Sequence, residues 1–110
     1  MPQSGGKSIY IAGPIDGVKG YKKAFDAAER KLSKKGWDVV CSPANVPEEQ
    51  PLREIMALEL DWIARCADAV YMLRGWENSK GAQCEWALAR ALGLQIIYQD
   101  VEEYLALKQP

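Results

Sequence analysis

The side chain best placed to do chemistry in this sequence is a glutamate on an apolar helical face. Glu85 shares the predicted face with Ala82, Leu88, Ala89 and Leu92. Burying a carboxylate costs several kcal/mol unless the group is paired or hydrogen-bonded, so such a glutamate has either a structural partner or a chemical role. The structural alternative is a bridge from Glu85 to Arg90, Lys80 or a backbone amide.

The composition narrows the possible chemistry because the chain contains no histidine. This removes the usual general base, the usual metal ligand and the orienting partner of serine or cysteine nucleophiles. Cys41, Cys66 and Cys84 show no C-x-x-C spacing and are interpreted as reduced, mostly packed thiols, so no metal site is expected. Any reaction must use carboxylates, tyrosine, lysine or cysteine.

Two aspartates are candidates to assist Glu85. Asp61 lies near the end of a predicted helix that feeds the strand before Glu85, and its alternative role is that of a solvated helix carboxylate. Asp68 lies where a predicted strand begins, at the edge remote from the expected site. Asp68 is therefore interpreted as a turn or cap residue.

Three further positions could contribute to a site. Tyr10 lies just before Gly13 on a predicted strand, where its hydroxyl could reach the site mouth, although such a tyrosine can also be simply core. The loop that begins Gly13-Pro14-Ile15 could let backbone amides approach a phosphate or sugar, but it matches neither G-x-G-x-x-G nor the P-loop. Ser79 is expected to cap the helix of Glu85, and free amides there could also hold an anion.

The elements that must position these residues follow from the hydrophobic pattern. Strands are predicted at 8–12, 37–41, 67–73 and 95–98, with helices over 21–35, 52–65 and 82–92 and helical character at 101–107. This order predicts a single α/β domain over 1–110, with residues 1–7 disordered. The predicted fold is a doubly wound, flavodoxin-like or Rossmann-like parallel sheet of four to five strands with helices on both faces. The loops 13–20, 42–50 and 74–81 should open on one edge.

Length and charge limit the class of protein. The chain has 110 residues, 48% of them hydrophobic, and a net charge of −1, with no basic face for a nucleic-acid polymer. No apolar run is long enough to span a membrane and no charged leader precedes one, so a cytoplasmic protein is expected. The small size, four Trp and five Tyr favour a homodimer or higher homo-oligomer.

Several stretches together resemble a known family across roughly residues 8 to 98. They are Tyr10-Ile11-Ala12-Gly13-Pro14-Ile15, Asp61, Ala67-Asp68, and Gly75-Trp76-Glu77-Asn78-Ser79-Lys80-Gly81-Ala82 with Glu85. These residues resemble the nucleoside 2-deoxyribosyltransferase-like superfamily. The resemblance is closest to its small, often phage-borne branch of uncharacterised proteins, which is related to deoxynucleoside 5′-monophosphate N-glycosidases.

The resemblance implies an enzyme, without a cofactor, that cleaves the N-glycosidic bond of a 2′-deoxynucleoside or its 5′-monophosphate. The sugar is passed to another base or to water. Glu85 matches the family's nucleophile, which forms a covalent glycosyl intermediate. Asp61 matches, with one residue of slippage, the aspartate that donates a proton to the leaving base, and Glu59 is the alternative. Tyr10 matches a tyrosine that positions the nucleophile.

The resemblance also implies a set of substrate-binding residues: Gly13, Pro14, Ile15, Trp76, Asn78, Ser79 and Gly81. Among them, Ser79 matches a phosphate-contacting serine. A second interpretation is a non-catalytic nucleotide-binding module, since the fold does not fix the function. A flavodoxin-type or phospho-receiver switch would need an acceptor aspartate at the carboxyl end of a central strand, whereas Asp68 lies at the start of one.

Overall fold

A computed structural model of the chain describes residues 7–15, 18–43 and 51–108. Strands and helices alternate along it, as the hydrophobic pattern predicts. The strands are β1 (Ser8–Ala12), β2 (Val39–Cys41), β3 (Ala69–Met72) and β4 (Gln95–Tyr98). The α-helices are α1 (Tyr21–Lys34), α2 (Leu52–Cys66), α3 (Lys80–Leu92) and α4 (Gln99–Leu107), and a short 3₁₀ turn, Trp76–Asn78, precedes α3.

The four strands form one parallel sheet in the order β2-β1-β3-β4. The chain moves outward from β1 to β2 and then returns to β3 on the other side of β1. Ligands of such doubly wound sheets bind at this reversal, beyond the carboxyl ends of the strands. The predicted fold class is therefore confirmed, with four strands in the described residues.

The inner strand β1 separates two apolar layers because its side chains alternate between the faces of the sheet. Ile9 and Ile11 lie in the cluster that contains Phe25 and Leu32 of α1. Tyr10 and Ala12 lie in the opposite cluster, which contains Ile63 of α2 and Ala82 and Ala89 of α3. Helices thus cover both faces, and Tyr10 points toward the side of α2 and α3.

The beginning and end of α3 follow the sequence signals. The Ser79 hydroxyl accepts a hydrogen bond from the backbone N–H of Ala82 at 3.2 Å, which confirms the predicted cap. Gly93 ends the helix with a φ of 72°, a left-handed conformation that favours glycine. The helix between these caps buries Ala82, Glu85 and Ala89 along one face.

The loops after β1 and β3 approach each other closely at Gly13. A Cβ atom at Gly13 would lie 2.8 Å from the Cβ of Leu73, so any larger residue would force the two loops apart. This contact holds the two loops against each other at the carboxyl edge of the sheet.

Helix α4 is attached to the body by polar side chains and has no buried residue among those described. The Glu102 carboxylate accepts hydrogen bonds from Lys31 Nζ at 2.5 Å, Lys35 Nζ at 2.7 Å and the Tyr71 hydroxyl at 2.7 Å. Arg74 forms ion pairs with Asp100 and Glu103. In the part of the chain described, no helix has the length and apolar character needed to cross a membrane.

Two further sequence expectations concern the start of the chain and the packing of the cysteines. Residues 1–6 of the expected disordered start lie outside the described residues, but Lys7 donates its backbone N–H to Asp38 Oδ2 at 2.9 Å. The thiols are free, yet Cys66 and Cys84 are exposed and Cys41 is only half-buried, so the expectation of mostly packed cysteines is wrong.

Candidate active site

A cavity of about 130 Å³ lies beyond the carboxyl ends of the first three strands. Gly13 and Ile15 follow β1, Pro43 follows β2, and Ser79 and Gly81 follow β3. The complete lining is Gly13, Ile15, Pro43, Leu52, Ile55, Met56, Glu59, Ser79, Gly81, Ala82 and Glu85. Each of the three loops that the sequence predicts at this edge contributes to the cavity through its described residues.

Glu85 lines this cavity and is only 3% exposed. The Tyr10 hydroxyl donates a hydrogen bond to Glu85 Oε2 at 2.8 Å, across 75 positions of the chain. Burial, followed by the negative charge of Glu85, raises the pKa of Tyr10, so the phenol stays protonated. Tyr10 is therefore a fixed donor that orients one oxygen of Glu85.

A second buried carboxyl group, that of Glu59, lies next to Glu85. Glu59 is 7% exposed and lines the same cavity. Burial raises the pKa of Glu59, whereas hydrogen bonds of its carboxyl group with Glu85 and Tyr10 lower it, and the net shift is upward. Its Oε2 atom has no hydrogen-bond partner in the described part of the chain. An unsatisfied buried acceptor of this kind costs stability.

The two carboxyl groups cannot both be ionised without a large free-energy cost. Burial raises the pKa of each, and the hydrogen bond and charge of Glu59 raise that of Glu85 further, against the opposing hydrogen bond from Tyr10. Adjacent buried carboxyl groups titrate as a pair, so ionisation of one opposes ionisation of the other. The pair can therefore hold one carboxylate beside one carboxylic acid.

The ion pairs that would make Glu85 purely structural do not form among the described residues. Neither Lys80 nor Arg90 pairs with Glu85; the Arg90 guanidinium lies over the Trp86 ring, 4.8 Å from its centroid. Glu85 therefore remains a buried acid without a cationic partner in these residues.

Asp61 is not part of the cavity. Its side chain is 59% exposed and forms an ion pair with Arg65 at 2.6 Å, on the outer side of α2. Residues two apart on an α-helix differ by roughly 200° in direction, so Asp61 and Glu59 point to nearly opposite sides. The structure brings Glu59, and not Asp61, to Glu85. The sequence signal for Glu59 was its spacing of four residues from Ile55 and from Ile63, which places it on the apolar stripe of α2. Glu85 is marked in the same way by the apolar stripe of α3.

The remaining predicted residues divide into two groups. Gly13, Ile15, Ser79 and Gly81 line the cavity together with Glu85.

Pro14, Trp76 and Asn78 do not line it. The Trp76 ring packs instead against Trp86 and Tyr98, with centroid distances of 5.2 Å and 6.2 Å, because the 3₁₀ turn directs it toward α3 and β4. Asn78 is exposed, and Pro14 lies against the backbone of Gly75.

Two further points concern acids outside the cavity. Asp68 Oδ2 accepts a hydrogen bond from the Ser8 backbone N–H at 2.9 Å, at the opposite edge of the sheet, in keeping with its interpretation as a turn or cap residue. Within residues 7–15, 18–43 and 51–108, no three Asp, Glu or Cys side chains are grouped so as to hold a metal ion.

The four-stranded parallel sheet with its helices matches a nucleoside deoxyribosyltransferase-like fold. The structure is similar to that of a 2-desoxiribosyltransferase from Leishmania mexicana, with a TM-score of 0.63 and 30% sequence identity. The similarity covers 84% of this chain and 63% of that chain, so this chain spans less than two thirds of that neighbour.

The family described as "Domain of unknown function (DUF4406)" matches residues 7–98, and the chain belongs to this family. No curated protein matches the sequence.

Proposed function

We propose that this chain cleaves the N-glycosidic bond of a 2′-deoxynucleoside or its 5′-monophosphate, with Glu85 as the nucleophile. The observation that carries the proposal is the buried Glu85 carboxyl group, oriented by Tyr10 and adjacent to a second buried carboxyl group in one cavity. The neighbour named as a 2-desoxiribosyltransferase supports the substrate class.

Glu59 takes the role that the resemblance gave to Asp61. The hydrogen bond between the two carboxyl groups raises the pKa of Glu85 and lowers that of Glu59, so the reaction requires the shared proton to move from Glu85 to Glu59. In this reactive form Glu85 is ionised and Glu59 carries the proton. Glu85 attacks the anomeric carbon of the sugar while the carbon–nitrogen bond to the base breaks. The bonding electrons leave with the base, and the Glu59 proton passes to its nitrogen. The products are a glycosyl ester of Glu85, a neutral base and an ionised Glu59.

The second half of the reaction returns the pair to its starting state. Water, or a nitrogen of a second base, attacks the anomeric carbon and releases Glu85 as a carboxylate. Glu59 accepts the proton lost by that nucleophile, as an acid that becomes a base must do. Glu59 and Glu85 together therefore begin and end the cycle with one proton.

The start of α3 supports binding of a 5′-phosphate at the same cavity. Ser79 and Gly81 line it at the amino end of a helix, where free N–H groups and the helix dipole favour an anion. The Ser79 hydroxyl already accepts from the Ala82 N–H, so it can still donate its own proton to a phosphate oxygen.

A nucleotide-binding module without turnover is the second candidate function. The raised pKa of Glu85 favours it, because a protonated Glu85 is not a nucleophile. The two candidates differ in one respect that can be measured, which is whether bound nucleoside releases its base.

The test is base release from a panel of deoxynucleosides and their 5′-monophosphates, with and without a second free base, followed by chromatography. Glu85→Gln should retain binding but lose release by at least about 10³-fold, since no nucleophile remains. Glu59→Gln should lose about 10²- to 10⁴-fold, as expected for an acid–base group. The rate of base release by Asp61→Asn should stay within about twofold of that of the unchanged chain, because Asp61 forms a solvated ion pair outside the cavity and such a pair contributes little.

Release by Glu85→Gln at the unchanged rate would contradict the nucleophile assignment. Binding without release throughout the panel would favour the module. Loss of activity in Asp61→Asn but not in Glu59→Gln would return the acid role to Asp61.

A further inference from the structure

We propose that Met56 sets the size limit of the nucleobase and makes the site prefer single-ring over two-ring bases. The inference rests on the proposed function. It concerns the side of the cavity formed by α2, to which the sequence analysis assigned no substrate-binding residue.

One face of α2 lines the cavity and changes character along its length. Leu52, Ile55, Met56 and Glu59 recur at spacings of three and four, so they lie along one side of the helix. With a rise of about 1.5 Å per residue, Met56 precedes Glu59 by about 4.5 Å and Leu52 precedes it by about 10 Å. An apolar wall therefore adjoins the carboxyl group that would protonate the leaving base.

This arrangement fixes where the base must lie. Its glycosidic nitrogen must come within hydrogen-bonding reach of Glu59 to accept the proton. The flat, weakly polar ring then extends from Glu59 past Met56 toward Ile55. Met56 is thus the apolar side chain of α2 closest to the reacting end of the base.

Met56 lies against the start of α3, where Gly81 lines the same cavity. A Cβ atom at Gly81 would lie 3.3 Å from Met56 Sδ and 4.0 Å from its Cε. The absence of a side chain at Gly81 therefore leaves room for the thioether beside the helix, and Met56 does not need to fill the cavity. Gly81 is not in the left-handed region, so an alanine there fits the backbone.

The size of the cavity makes this side chain decisive. At about 130 Å³ the cavity is small beside the roughly 300–1,000 Å³ of ordinary ligand sites. A wall of aliphatic and thioether groups discriminates by volume, and such discrimination amounts to roughly 10- to 200-fold for small differences in size. The more compact single-ring base is accommodated beside Met56 with less displacement.

The experiment changes the space around Met56 in both directions. Met56→Ala enlarges the cavity, and Gly81→Ala narrows it, because Gly81 lines the cavity and a methyl group there would meet the Met56 thioether. Leu58→Ala is the matched control, because Leu58 lies on α2, is 57% exposed and does not line the cavity. The ratio of kcat/KM for thymidine and deoxycytidine to kcat/KM for deoxyadenosine and deoxyguanosine is measured for each protein.

We expect a ratio above one for the unchanged chain and a fall of about 10-fold or more in Met56→Ala. The ratio should rise in Gly81→Ala and stay unchanged in Leu58→Ala. If Met56→Ala does not fold, the Gly81→Ala result decides. A ratio equal in all folded variants, or one below one in the unchanged chain, overturns the inference.

Binding of free cytosine, thymine, adenine and guanine by calorimetry separates this inference from the proposed function. If no protein releases base, the proposed function fails, and the affinity ratio across the same variants still tests Met56. A shift of that ratio with Met56→Ala or Gly81→Ala supports the size limit. An unchanged ratio, or no binding of any base, overturns it.

Discussion

At the level of single residues, the pair formed by Glu59 and Glu85 is the central feature of the molecule. Glu85 could be predicted because a carboxylate on an apolar helical stripe needs a reason to be buried. Glu59 likewise lies on an apolar helical stripe, four residues from Ile55 and from Ile63. The same spacing leaves Asp61 off the apolar stripe, so the local pattern favours Glu59 over Asp61. The pairing of Glu59 with Glu85 depends on the packing of α2 against α3, which the local pattern does not contain.

The pair predicts an unusual dependence of stability on pH. Because burial, then Glu59, raises the pKa of Glu85 above its ordinary value of 4.5, the folded chain binds more protons than the unfolded chain above that pH. Stability should therefore fall as the pH rises above about 4.5. Glu85→Gln should remove much of this fall and be more stable at pH 8 by on the order of 1 kcal/mol, or roughly 4–8 °C in melting temperature.

Thermal melting at pH 5 and pH 8 measures this difference, with Asp61→Asn as a solvent-exposed control. A Glu85→Gln variant that melts below the unchanged chain at pH 8 would show that Glu85 has a stabilising partner in its ionised form.

At the level of elements, helices were easier to predict than strand limits. Local signals at Ser79 and Gly93 mark the two ends of α3, although the helix begins at Lys80, two residues before the predicted range of 82–92. Strand β2 begins at Val39, two residues later than predicted, since the N–H groups of Asp38 and Val39 both donate to the Lys7 carbonyl oxygen ahead of the regular pairing. Such pairing depends on a distant segment and leaves no trace in the local hydrophobic pattern.

Helix α4 provides a test of attachment by polar groups. Although burial opposes it, hydrogen bonds from Lys31, Lys35 and Tyr71 lower the pKa of Glu102 to about 2. Glu102→Gln should lower the unfolding free energy at pH 7 by about 1–2 kcal/mol. This value allows for solvent screening of the ion pairs, because both lysines are partly exposed.

Because the pKa of Glu102 is depressed, its contribution exists above about pH 4.5 and is lost as the pH falls toward 2. The difference between Glu102→Gln and the unchanged chain, measured by urea unfolding, should shrink over that interval. Glu103→Gln, which removes a more exposed partner of Arg74, should cost less than about 0.5 kcal/mol. Equal losses in the two variants would contradict a special role for Glu102.

At the level of the whole molecule, the outer surface predicts self-association. Helix α4 exposes four large apolar side chains, those of Val101, Tyr104, Leu105 and Leu107. A chain of this size buries a smaller share of its apolar surface than larger proteins do, and association of two copies would cover more of it. We expect a dimer or larger homo-oligomer in light scattering at micromolar concentration. A monomer mass at that concentration would contradict this prediction.

The hydrogen bond between Tyr10 and Glu85 also bears on how the chain is synthesised. The ribosome releases β1 early, and its two neighbours in the sheet, β2 and β3, follow some 30 and 60 positions later. Throughout that interval the Tyr10 hydroxyl lacks the acceptor that α3 supplies. A nascent chain interrupted before Glu85 therefore leaves this phenol without its carboxylate. The hydrogen bond that joins β1 to α3 can therefore form only after α3 has been synthesised.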